Sequence, residues 1–76
     1  MERKLETFLT LCETLNYRRA AERLHLTQPA VTKQIQALEA EYGAVLFQYD
    51  GRRLHKTAKG ELLELHAIAQ RYNHQK

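Results

Sequence analysis

The chain has 76 residues, 43% of them hydrophobic and 28% charged, with 12 Lys/Arg against 9 Asp/Glu and a formal net charge of +3. That bounds it to one small domain with a thin core, burying only about 60% of the surface its unfolded form exposes. No apolar run approaches the ~20 residues that span a bilayer, the charged Met1-Glu2-Arg3-Lys4 start is unlike a signal peptide, and the single cysteine excludes an internal disulfide, all fitting a cytoplasmic location.

The first helix is predicted over Glu2 to Leu15. There Leu5, Phe8, Leu9, Cys12 and Leu15 recur in steps of three and four, with Leu11 alongside. Asn16 interrupts this stripe and suits the cap of a second helix, Tyr17 to Leu24. His25 stands where a turn often needs a left-handed residue, a conformation that His adopts more readily than most side chains. Ala20 and Ala21 are small, so another helix can cross close over them, and Leu24, Leu26, Val31 and Ile35 are spaced to be buried between the two. Thr27 is a good N-cap for a third helix, Gln28 to Tyr42, and Pro29 is tolerated in a first turn, where the backbone N–H groups lack partners anyway. Val31, Ile35, Leu38 and Tyr42 are assigned to the core, and Gly43 ends the helix as a left-handed cap.

Gln28, Ala30, Thr32, Lys33 and Gln34 fall on faces that this packing does not need. A helix start rich in amides, hydroxyls and a cation, with no acid from Thr27 to Ala37, suits the major groove of DNA. Farther along, Val45-Leu46-Phe47 reads as a short strand, Tyr49-Asp50-Gly51-Arg52 as a turn and Arg53-Leu54-His55 as the returning strand, together a two-stranded wing. Residues 1–50 carry six Lys/Arg against seven Asp/Glu, whereas residues 51–76 carry six against two. The excess gathers at Arg52, Arg53, Lys56 and Lys59, with His55 among them, and beside a helix-turn-helix it reads as a phosphate-binding wing.

The fourth helix starts at Thr57, its N-cap, and Gly60 weakens its first turn modestly. Ala58, Leu62, Leu65, Ala69 and Tyr72 are spaced 4, 3, 4, 3, a heptad seam, and Leu63 and Ile68 widen its apolar face. Two heptads are too few to identify a coiled coil, so the spacing alone leaves two readings open: a helix packed on its own domain, or one shared between two protomers. The pattern is still periodic where the sequence stops, which reads as part of a longer protein.

Enzymatic and metal chemistry find no support. His66 and His74 are eight apart, about 12 Å by helical rise, with no Cys or carboxylate to complete a zinc site. Cys12 sits on the apolar stripe as a small hydrophobe, Glu39 and Glu41 form a helix pair without a pocket, and no cofactor fingerprint or nucleophile motif is present. No enzyme and no cofactor are expected.

The segment Ala20-Ala21-x-x-Leu24-x-Leu26-Thr27-Gln28-Pro29-Ala30-Val31-Thr32-Lys33-Gln34-Ile35, continued by Leu38-Glu39, Gly43, Leu46-Phe47, Gly51-Arg52-Arg53, Thr57 and Gly60, resembles the DNA-binding domain of LysR-type transcriptional regulators over residues 5–65. The resemblance implies a mainly α fold: a winged helix-turn-helix of three helices and a two-stranded wing over residues 1–57, then a long dimerisation linker helix over 58–76, with a C-terminal effector domain absent from this chain. It implies sequence-specific binding of double-stranded DNA, with Gln28, Pro29, Thr32 and Lys33 as groove contacts and Arg52 or Arg53 reaching backbone or minor groove from the wing; beside these, Ala30 with Pro29 suits apolar contact to a thymine methyl, and Thr27, Arg18 and Arg19 are weaker phosphate candidates. It also favours the shared reading of the last helix: a homodimer through Leu62, Leu65, Ala69 and Tyr72 on a palindromic site, or a tetramer in a full-length protein, with any small-molecule effector taken by the missing domain. Thr32 and Lys33 depart from the family's usual Ser and Arg but keep a hydroxyl and a cation. Tyr49 replaces a usual Arg, putting one backbone contact in doubt, and Lys56 replaces a usual Leu. The alternative is a protein-interaction module presenting the same helix and seam to a foreign partner. RNA fits less well, since no surface aromatic pair suggests base stacking.

Overall fold

The computed structural model describes residues 2–74, with side chains described through residue 71. Helices α1 (Arg3–Thr14), α2 (Tyr17–Leu24) and α3 (Gln28–Tyr42) are followed by strands β1 (Phe47–Asp50) and β2 (Arg53–Lys56) and by helix α4 (Ala58–His74). The three leading helices pack on one another, α4 returns to lie against α1, and the hairpin meets α4 through β2 and α1 through Phe47. Phe8, Leu11, Val31, Ile35, Leu38 and Leu46 are fully buried at the centre, and the Phe8 and Phe47 rings, with centroids 5.5 Å apart, join α1 to the wing.

Local chemistry accounts for most boundaries. Asn16 Oδ1 accepts the Arg19 N–H at 2.9 Å and so starts α2. His25 takes a left-handed conformation (φ 58°) and ends it, as the sequence predicts. Thr27 Oγ1 accepts the Ala30 N–H at 3.3 Å to start α3, and Gly43 (φ 60°) closes that helix. Ala20 is wholly buried and Ala21 nearly so, which lets α3 cross tightly over α2.

Four expectations need correction. Helix α1 stops at Thr14 because Leu15 itself turns left-handed (φ 48°), its N–H bonding the Leu11 carbonyl at 2.7 Å. That turn swings Leu15 off the buried stripe and leaves it partly exposed. Tyr42 is half exposed, not core, because α3 has run past the helices that cover Leu38. It borders an open groove of about 320 Å³ with Leu62, Leu63 and His66. The strand begins two residues later than Val45: the Leu46 N–H donates to Glu39 Oε2 at 2.8 Å and its carbonyl accepts from Thr57 N at 3.0 Å, so Leu46 is bonded away from the ladder. The hairpin loop is correspondingly tight, with Asp50 paired to Arg53 and only Gly51 and Arg52 between. Gly51 (φ 65°) at the first loop position is what a type II′ turn demands. Finally, Gln34 does not face solvent freely, because the buried Thr7 hydroxyl of α1 donates to its Oε1.

Candidate nucleic-acid interface

Burial of Val31, Ile35 and Leu38 orients α3, and what remains on its first turn is turned outward. Thr27, Gln28, Pro29 and Lys33 are exposed, while Ala30 and Thr32 are half buried at the edges of that surface. The six residues assigned to DNA contact here therefore share one end of one helix, with α2 packed beneath it. Pro29 supplies no N–H there, and Thr27 satisfies one of the first-turn amides.

The electrostatics of this end are simple. No acid occurs from Thr27 to Ala37, and the two that follow are engaged elsewhere. Glu39 accepts the Leu46 N–H, and Glu41 pairs with Lys4 of α1. The Glu41 carboxylate raises the Lys4 pKa, so that lysine stays charged. Lys33 is the cation of the surface itself and has no carboxylate partner among the described residues.

The wing carries fewer free cations than its composition implies. Lys56 points back to α4, where its Nζ lies 2.8 Å from Glu64 Oε1 in a partly buried pair that raises the lysine pKa. Lys59 borders the Tyr42–Leu62 groove at the far end of α3, away from its first turn. Arg52 and Arg53 remain, both exposed. Arg53 stands opposite Asp50 in the hairpin register, whereas Arg52 sits in the loop and borders the same cleft as Gln28. Helix start and wing are thus neighbours, with Arg52 the wing cation nearer the helix.

Helix α4 has two apolar faces. Gly60, Leu63 and Ala67 are buried against the domain. Ala58, Leu62, Leu65 and Ala69 of the predicted seam are exposed, Leu62 and Leu65 at 64% and 68%. The Tyr72 side chain lies outside the described residues. Cys12 is buried in the core, and desolvation, with the Glu64 charge as a lesser cause, pushes its thiol up to about 12, so it is not a reactive thiolate.

Comparison with known proteins places this geometry. Residues 3–61 match the model of the bacterial regulatory helix-turn-helix protein family, lysR type. The transcriptional regulator TcbR of Pseudomonas sp. strain P51 is 45% identical over 58 residues, covering 76% of this chain and 20% of TcbR. The structure of the BenM DNA-binding domain bound to its benA site 1 DNA superposes with a TM-score of 0.90 at 33% identity, covering 99% of this chain and 85% of that one. The CbnR DNA-binding domain in complex with DNA gives 0.82 at 38% identity, covering 99% and 93%. The chain spans 20–32% of the length of the first curated relatives it matches. By sequence and by fold, this chain belongs to the LysR family of bacterial helix-turn-helix transcriptional regulators, as a DNA-binding domain and not an enzyme.

Proposed function

We propose that this domain reads double-stranded DNA sequence-specifically, with the start of α3 in the major groove and the wing on the flanking backbone or minor groove. The observation that carries this reading is the exposed, acid-free helix start of Thr27 to Lys33, mounted on a buried scaffold beside Arg52. Gln28 has the amide that pairs bidentately with adenine, Thr32 and Lys33 reach bases or phosphate, and Pro29 and Ala30 offer apolar contact to a thymine methyl. Arg52, with Arg53, neutralises phosphate. The BenM and CbnR domains, which superpose over nearly the whole chain, are each seen bound to DNA.

In this reading, residues 1–57 are the DNA-reading unit and residues 58–76 the dimerisation helix, although α4 also completes the unit's core through Leu63 and Ala67. Pairing through Leu62, Leu65 and Ala69 sets two recognition helices one DNA turn apart or a multiple of it, about 34–36 Å per turn, on a palindromic site. The effector-binding function belongs to sequence beyond this chain.

Selecting duplexes from a random library and titrating them by fluorescence anisotropy tests the reading. Gln28→Ala costs about 1–3 kcal/mol on the selected site and relaxes preference at one base pair. Equal weakening on every sequence would remove Gln28 as a base reader. Arg52→Ala with Arg53→Ala flattens the dependence of log affinity on log salt, and an unchanged slope would take the wing off the DNA.

A further inference from the structure

The wing has two faces, and the register assigns them. Phe47, Tyr49, Leu54 and Lys56 share one face, since Phe47 pairs with Lys56 and Tyr49 with Leu54. Phe47 and Leu54 are buried, so this face is turned towards the domain body. Tyr49 lies on the same face but nearer the loop, where the body no longer covers it, and is 64% exposed. A scattered exposed aromatic requires no explanation. Tyr49 is not scattered: it forms one wall of a cleft of about 200 Å³ whose other walls include Asn16, Tyr17 and Arg18 at the start of α2, Gln28 at the start of α3, and Arg52 in the wing loop.

No carboxylate lines this cleft. Among the described residues, neither Arg18 nor Arg52 joins an ion pair, whereas Arg23 is held by Glu13 and Lys56 by Glu64. Three separate elements thus bring two uncommitted guanidinium groups and an exposed phenol to one small concavity, with the candidate base reader on its rim. Arg19, the next residue along, is not among the lining residues. Two arginines that are equivalent in the sequence are separated by the fold.

We propose that Tyr49, Arg18 and Arg52 together hold one backbone phosphate of the bound duplex, next to the base met by Gln28. The phenol hydroxyl donates a hydrogen bond to a phosphate oxygen and the two guanidinium groups carry the charge. The contact holds the domain to the backbone beside that base and carries no sequence information of its own. This inference rests on the DNA-reading assignment above.

The test uses the 76-residue chain and a duplex selected from a random library, with single neutral methylphosphonate linkages walked along each strand. One linkage per half-site next to the Gln28-dependent base pair weakens wild-type binding about tenfold. Tyr49→Phe weakens the unmodified duplex about tenfold, the loss expected for a hydrogen bond to a charged group, and this loss and that from neutralising the linkage are less than additive, because the two guanidinium groups still meet the charge. Arg18→Ala lowers the salt slope by about one per bound chain and is less sensitive than wild type to neutralisation at the same linkage, whereas Arg19→Ala keeps the wild-type linkage profile. Both Tyr49→Phe and Arg18→Ala retain the Gln28-dependent base preference. If Tyr49→Phe binds as wild type, or if variant and linkage losses add at every position, the shared phosphate is wrong while the base-reading assignment stands. If no duplex is bound even at low salt, both fall together.

Discussion

Individual residues in this domain divide by how their neighbours constrain them. Gly60 shows how far context can change a residue's meaning. In sequence it is a weak helix former; in the fold, a Cβ at this position would lie 2.2 Å from the Leu46 carbonyl oxygen. That close approach is a backbone contact that cannot yield cheaply, and it brings α4 down onto the lead-in to the wing. Gly60→Ala is therefore expected to destabilise the domain by about 1–3 kcal/mol, against the ~1 kcal/mol gain of an ordinary helical Gly→Ala change. Thermal unfolding of the variant decides, and a raised midpoint would refute the packing account. Leu15 differs: its left-handed conformation had no signal, because leucine is a poor choice for φ > 0 and only the packing of α2 on α1 requires it there. His25 was legible, since the same conformation falls on a residue type that tolerates it.

At the scale of elements, α2 and α3 were readable because each carries its own punctuation. Asn16 and Thr27 accept the third-residue N–H groups, and His25 and Gly43 supply the exits. The wing was readable as a hairpin but not in its limits. Val45-Leu46-Phe47 looks like a strand by apolarity, yet Leu46 spends its backbone groups on Glu39 and Thr57, partners that only the tertiary arrangement brings within reach. Thr57 is the hinge of that arrangement. Its hydroxyl accepts the Gly60 N–H at 3.0 Å and donates to the Val45 carbonyl at 2.6 Å, so one side chain caps α4 and tethers the segment before β1. Thr57→Ala loses both bonds, and chemical denaturation should read a loss of about 1–2 kcal/mol. A loss within a few tenths would mean that the cap is solvated and contributes little. For α4, the 4-3-4-3 spacing drew attention to Leu62 and Leu65, while the buried face runs through Gly60, Leu63 and Ala67, a series of small and apolar residues that is quieter in sequence.

For the whole molecule, titration and association are the relevant observables. Cys12, Tyr17 and Lys56 all titrate above their ordinary values, Cys12 and Tyr17 mainly through burial and Lys56 through its hydrogen bond to Glu64. Each therefore holds its proton more tightly folded than unfolded. Their stabilising effect is complete below the unfolded values and is lost as pH rises, for Cys12 between 9.0 and about 12. The urea midpoint should accordingly be lower at pH 10.5 than at pH 8, with a shallower fall in Cys12→Ala. The same fall in both proteins would exclude the thiol as a contributor. Association is tested by the exposed face of α4. Replacing Leu62 and Leu65 with Asp should convert a dimer to a monomer in sedimentation while leaving the far-UV circular dichroism unchanged, because neither side chain belongs to the domain's own core. A monomeric wild type would refute the proposed seam.

By itself the sequence determined the order of elements, the caps that start and stop α2 and α3, and the acid-free start of α3, because these depend on residues within one or two helical turns of each other. The exposure of Thr27, Gln28, Pro29 and Lys33 followed from the same periodicity that buries Val31 and Ile35. Only the tertiary structure decided which charges remain available. Glu41 meets Lys4 and Glu64 meets Lys56 across separate elements, and Gln34 is drawn to Thr7. It also decided that Arg18, Gln28, Tyr49 and Arg52, spread over 35 positions of sequence, border one cleft. The reason is physical: side-chain partnerships between elements depend on crossing geometry and hairpin register, which no local propensity encodes.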